Sequence, residues 1–154
     1  MATEITFTPQ VLGETEKALN AILIRELTAS GLTEHQWIAL QLTVAGGGTI
    51  AHEQLVGRMA GALKLGSTYA EERVDELVRA GRLAYVDDDG EGLVSMTPAG
   101  SEVHGRIRAT VGQIIQRLWG DLPSADLAVT GRTLTTILTR ANAEFAAAAS
   151  ADER

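Results

Sequence analysis

Thr49–Thr97 holds two short helical patterns separated by a three-residue break, then strand, acidic turn and strand. Few folds accept that order. Glu53 to Leu63 places Leu55, Val56, Met59 and Leu63 at helical spacing, which predicts one apolar face of a short helix. Lys64-Leu65-Gly66 breaks the pattern, and Gly66 is the residue expected to take the backbone angles of a tight turn. Thr68-Tyr69-Ala70-Glu71 has the spacing of a capping box, and Ala70, Val74, Leu77 and Val78 form the stripe of a second helix. Gly81 follows Ala80 where a helix commonly ends in a left-handed residue. Leu83–Val86 and Gly92–Met96 are strand-like, with Asp87-Asp88-Asp89-Gly90-Glu91 as the hairpin tip. Thr49-Ile50 adds a short bracing strand.

This order predicts a winged helix-turn-helix, a motif that ordinarily holds its second helix in a DNA major groove. Ser67, Thr68, Tyr69 and Arg73, at the start of the second helix, are the candidates for base edges. Lys64, Arg79 and Arg82 are the candidates for phosphate. The plainer alternative is that Ser67 and Thr68 cap the helix, Tyr69 packs, and the cations are solvated. Charge speaks against easy DNA binding. The chain carries a formal −7, and Thr49–Thr97 holds five Lys and Arg against nine Asp and Glu. Affinity for DNA leans on cations that release counterions, so the five would have to cluster on one face.

On either side the chain reads as helix. Val11–Ser30 carries Leu12, Leu19, Ile22, Leu23 and Leu27, a wider apolar face than one neighbour needs, and Gly31 ends it. Thr33 is a good N-cap for the next helix, with Glu34 at the positive end of its dipole and Trp37, Leu40 and Val44 on one face. Gly46-Gly47-Gly48 ends that helix. Thr97 can cap a further helix with Pro98 at its first position, and Val103, Ile107, Val111, Ile114, Ile115 and Leu118 run down one side. After Gly120–Ser124, Ala125–Ala149 offers Leu127, Leu134, Ile137, Leu138, Ala141 and Phe145. So many apolar residues beyond a winged helix predict a two-fold dimer, with two second-turn helices about one DNA turn apart. The fold class is therefore mainly α with a small β-wing. The winged helix covers about 32–98, and dimerisation helices cover about 9–30 and 98–148 of a single domain spanning 1–154.

The 154 residues can bury a real core. With no cysteine there is no disulfide, thiol nucleophile or thiolate metal site, His52 and His104 are isolated in sequence, and no paired His/acid spacing occurs, so neither a metal nor a cofactor is expected. Gly46-Gly47-Gly48 lacks the Lys-Ser/Thr of a phosphate loop, no G-x-S-x-G elbow occurs, and the Asp87–Gly90 run lacks the closing Glu of a calcium loop. An enzyme is not expected. No apolar run is long enough to span a bilayer, and MATEITFTPQ lacks the pattern of a signal peptide, which makes the cytoplasm the expected location.

Three stretches resemble the MarR family of bacterial transcriptional regulators. Gly31–Leu40 (GLTEHQWIAL) is similar to that family's second-helix opening, Arg73–Leu83 (RVDELVRAGRL) to the end of its recognition helix, and Leu93–Gly100 (LVSMTPAG) to its last wing strand and the helix after it. The resemblance runs in the right order over nearly the full length. It implies a triangular homodimer with interlaced terminal helices, binding double-stranded DNA at a near-palindromic operator. It also implies regulation relieved by a small phenolic or anionic effector, for which Arg25, His35 and Trp37 are the candidate contacts. Two features depart from the family. The wing tip has no Arg or Lys, and Glu71, Glu72, Asp75 and Glu76 surround Arg73. They leave open an alternative: a winged-helix dimer with reduced or lost DNA binding that works as a protein-interaction or small-molecule module.

Overall fold

The computed structural model describes residues 6–86 and 92–152. In chain order it holds α1 (Pro9–Ala29), α2 (Glu34–Ala45), β1 (Thr49–Ala51), α3 (His52–Leu63), α4 (Ser67–Arg79), β2 (Leu83–Val86), β3 (Leu93–Met96), α5 (Pro98–Trp119) and α6 (Ser124–Asp152). The expected winged helix-turn-helix is present, flanked by long helices at both ends. The chain forms two compact units, residues 1–112 and 113–154, with the division inside α5.

Local chemistry sets most boundaries. Thr8 caps α1 by accepting from the Val11 amide, and Pro9 opens the helix. Thr33 caps α2 in a full capping box, its hydroxyl accepting from Gln36 N and the Gln36 side chain accepting from Thr33 N. Gly31 and Gly81 take φ of 71° and 70° just past α1 and α4, a left-handed stop that costs glycine no Cβ clash.

Two local expectations need correction. The tight turn between α3 and α4 takes its positive φ at Lys64 (56°), while Gly66 is extended. Nor do Thr68 and Glu71 form a capping box. α4 already begins at Ser67, its N-cap is Gly66, and no side chain caps it. One residue of shift places Thr68 inside the first turn, where its hydroxyl has no cap position to fill.

The sheet is three antiparallel strands in the order β1-β3-β2. Ile50 lies opposite Val94, and Tyr85 opposite Val94 on the other edge. Asp87–Glu91, the hairpin tip expected from sequence, lies outside the described residues. The core of the first unit joins Leu27, Trp37, Leu40, Ile50, Leu55, Met59, Val74, Leu77, Leu83, Val94, Val103 and Ile107. α2, α3, α4, α5 and the wing thus share one interior. Val44 is an exception: it is exposed rather than on the face of Trp37 and Leu40. Only Leu27 of α1 is fully buried, and Val11, Leu19 and Ile24 stay exposed. In α6, Leu127, Val129, Leu138 and Phe145 are exposed.

The junction after the wing is tied by one residue. Thr97 Oγ1 accepts from the Gly100 amide at 3.0 Å and lies 2.6 Å from the carbonyl of Gly81 and 3.0 Å from that of Arg82. The hydroxyl has one proton for these two carbonyls, and its lone pair caps α5. Sequence alone identified the cap and missed the tie to the end of α4.

Candidate nucleic-acid interface

α4 is amphipathic, and its two sides carry different chemistry. Ala70, Val74 and Leu77 are buried. Ser67, Thr68, Glu71, Glu72, Asp75 and Arg79 are exposed. Ser67 and Thr68 therefore stand free at the N-terminal end, as a helix entering a groove requires. The same side also carries three carboxylates. Exposed Lys64 sits at the turn before α4 and exposed Arg79 in its last turn. Arg79 Nε donates to the Asp75 carbonyl, and Arg82, half-buried, lies with Nη2 at 3.5 Å from the Ser30 carbonyl.

Tyr69 and Arg73 face another way. The Tyr69 hydroxyl is 2.9 Å from His35 Nδ1, and the two rings meet edge to face at 5.3 Å. Arg73 lies over the Tyr69 ring, its guanidinium carbon 4.4 Å from the centroid. Nη2 pairs with Glu76 at 2.9 Å and Glu72 at 3.3 Å. Sequence reading grouped Ser67, Thr68, Tyr69 and Arg73; the fold separates them into an exposed pair and a half-buried pair.

On the wing side, the Tyr85 hydroxyl donates to Asp75 Oδ1, and its ring meets His52 edge to face at 5.7 Å. Burial, that hydrogen bond and the charges of Asp75 and Glu71 push the Tyr85 phenol up to about 12. Tyr85 read in sequence only as a strand residue, because nothing local signals a partner ten positions upstream on a helix.

The three effector candidates occupy three settings. Arg25 is largely exposed and pairs with Glu26 at 2.7 Å. His35 belongs to the Tyr69 contact. Trp37 is buried and stacks on His104, centroids 5.0 Å apart and 24° between planes. A cleft of about 150 Å³ lies between α1 and α5, lined by Glu26, Ala29, Ser30, Arg106, Ile107 and Thr110. None of the three candidates lines it. Among the described residues no group of His, Asp and Glu could hold a metal ion. No helix among them is long and apolar enough to cross a membrane.

His104 is isolated in sequence but not in space. It is buried on Trp37, and its Nε2 lies 2.6 Å from Gln41 Oε1. An amide oxygen only accepts, so Nε2 carries the proton. Burial, with a smaller push from Arg108, lowers its pKa below the usual 6.5. The neutral ring is thus favoured in the fold. Its contribution to stability is full above the unfolded value and is lost as pH falls through 6.5 toward the folded value. Thermal unfolding of the wild type should weaken between pH 7 and 5. His104→Phe, which keeps an aromatic ring beside Trp37, should lose less over the same window. Parallel curves for the two proteins would show that His104 does not carry this dependence.

No family model and no curated protein matches the chain. Solved structures do match. A MarR family transcriptional regulator from Silicibacter pomeroyi superposes with a TM-score of 0.72 at 21% identity, covering 87% of this chain and 88% of that one. CouR from Rhodococcus jostii RHA1, solved bound to p-coumaroyl-CoA, gives 0.69 at 18% identity, covering 82% and 88%. NadR, solved in complex with 4-hydroxyphenylacetate, gives 0.68 at 14% identity, covering 89% and 96%. The likeness spans most of each chain, and at these identities it is a likeness of fold.

Proposed function

We propose that this chain, with the fold of the MarR-family regulators, is itself a DNA-binding transcriptional regulator. In this reading it acts as a homodimer on a near-palindromic operator and responds to a small phenolic or anionic effector. The observation that carries the reading is the pairing of α3 and α4 under a three-stranded wing, with Ser67 and Thr68 exposed at the leading end of α4. Ser67 and Thr68 reach base edges, while Lys64, Arg79 and Arg82 take phosphates. In this reading residues 1–154 are a single domain in sequence, with the winged part at about 32–98 and dimerisation helices at about 9–30 and 98–148. Exposed apolar residues on α1 and on α6 support a second copy as partner. For the effector, Arg106 and Thr110 beside Ile107 give the cleft a cation, a hydroxyl and an apolar wall. Arg25, His35 and Trp37 remain candidates from the family resemblance.

Lys64, Arg79 and Arg82 from two protomers make roughly six phosphate contacts, which gives a log–log salt slope of about −5. Affinity for a duplex selected from a random pool should therefore fall about a thousandfold between 50 and 200 mM salt. A flat salt response, or no bound duplex at 50 mM from folded protein, would remove the regulator reading.

One observation favours a second reading. The exposed side of α4 carries Glu71, Glu72 and Asp75, so phosphate would meet carboxylates there. If no duplex is selected, a protein-interaction or small-molecule-binding module is the reading that remains.

A further inference from the structure

We infer that Arg73 is a positioning residue that locks α4 against α2, and not one of the cations that meet DNA. The inference rests on the regulator reading for its consequence but on geometry for its substance. Tyr69, Arg73 and Glu76 occupy successive turns of α4 on one side, and that side meets the first turn of α2. Glu76 uses both oxygens. Oε1 accepts from Arg73 Nη2 at 2.9 Å, and Oε2 accepts from Gln36 Nε2 at 3.0 Å. Gln36 in turn accepts from Thr33 N, within the capping box that starts α2. Tyr69 closes the other end on His35. A seam therefore runs from the cap of α2 through Gln36, Glu76 and Arg73 to Tyr69 in the first turn of α4; Arg73 sits at its middle and acts on α2 through Glu76 and Tyr69.

The charge of Arg73 is already satisfied there. Its side chain is 19% exposed, two carboxylates hold Nη2, and the guanidinium covers the Tyr69 ring. Nε is enclosed with no hydrogen-bond partner. A guanidinium in this position would have to leave two ion pairs and an aromatic face to reach a phosphate, and would leave Glu76 Oε1 without its cation. Its value to DNA binding is indirect: it fixes the angle at which α4 presents Ser67 and Thr68. Base readout depends on such angles because each hydrogen bond fails within an ångström.

The test uses the full chain, a duplex selected by the wild type from a random pool, and three variants: Arg73→Met, Arg73→Glu and Arg73→Lys. Hydrogen exchange on the DNA-free proteins reads the lock directly. Arg73→Met should speed exchange of α4 amides and leave α3 unchanged. On DNA it should lose at least tenfold in affinity at every salt concentration, with the salt slope unaltered. Arg73→Lys should regain at least tenfold over Arg73→Glu, because an ammonium can still pair with Glu76 and leaves the Gln36–Glu76 bond in place. A salt slope shallower by about 2 per dimer would mark Arg73 as a phosphate contact and overturn the inference. Unchanged α4 exchange would overturn it as well, and so would an Arg73→Lys protein no better than Arg73→Glu. If the wild type selects no duplex, the regulator reading falls by itself, and hydrogen exchange still decides whether the lock exists.

Discussion

Replacing Gly100 by alanine is expected to destabilise the protein by about 3 kcal/mol, a fall in Tm of roughly 6–12 °C. A Cβ built at Gly100 would stand 2.0 Å from the Arg82 carbonyl oxygen and 2.7 Å from Met96 Sδ. Met96 can turn its thioether aside. The Arg82 carbonyl cannot, because it accepts from the Thr97 amide at 3.2 Å and lies 3.0 Å from the Thr97 hydroxyl. The first turn of α5 would have to lift off the end of α4 and the start of β2. Thermal unfolding of Gly100→Ala checks this, with Gly112→Ala as the control. Gly112 is in the same helix, and a Cβ there meets nothing within 4 Å. The control should be neutral or slightly stabilising, since alanine is the better helix former. Equal behaviour of the two variants would mean that the approach of α5 to Arg82 is not as close as described.

The second large effect is expected from α6. Leu127, Leu134, Leu138, Ala141 and Phe145 recur at helical spacing on one side of the helix, and Leu138 is 61% exposed. Leu127→Asp combined with Leu138→Asp touches two exposed positions. Its direct cost to the helix is then no more than helix propensity, below about 1 kcal/mol each. If this side is where a second copy seats, burying two carboxylates without partners would convert the dimer to monomer. Light scattering reads the mass. The selected duplex should then lose about 10²-fold or more in affinity, because two half-sites are no longer held by one particle. A wild type that is monomeric at micromolar concentration would sink the proposed architecture. A variant that stays dimeric would move the interface away from this side of α6.

The residues whose setting differs from what sequence alone suggests share a cause. Capping at Thr33 and Thr97, the stops at Gly31 and Gly81 and the buried stripes of α3 and α4 are local, and all were legible. The turn between α3 and α4 was legible as a turn, yet its left-handed residue is Lys64 rather than Gly66. Lys64 is the C-cap of α3, a position where helices commonly end in a left-handed residue. The cluster Ser67–Arg73 looked like one binding surface because its residues are adjacent in sequence. A helix turns 100° per residue, so adjacency puts neighbours on different faces, and only the position of α2 shows which face is covered.

Sequence by itself determined the order of elements, their ends and the apolar sides that must be covered, because these follow from backbone preferences and periodicity over a few residues. Tertiary structure decided which charges are available. Glu76 pairs with Gln36, Tyr69 with His35, Tyr85 with Asp75, and His104 with Gln41 and Trp37. Partners at such separations are set by how helices pack, and the charge an approaching DNA would meet depends on what remains unpaired after that packing.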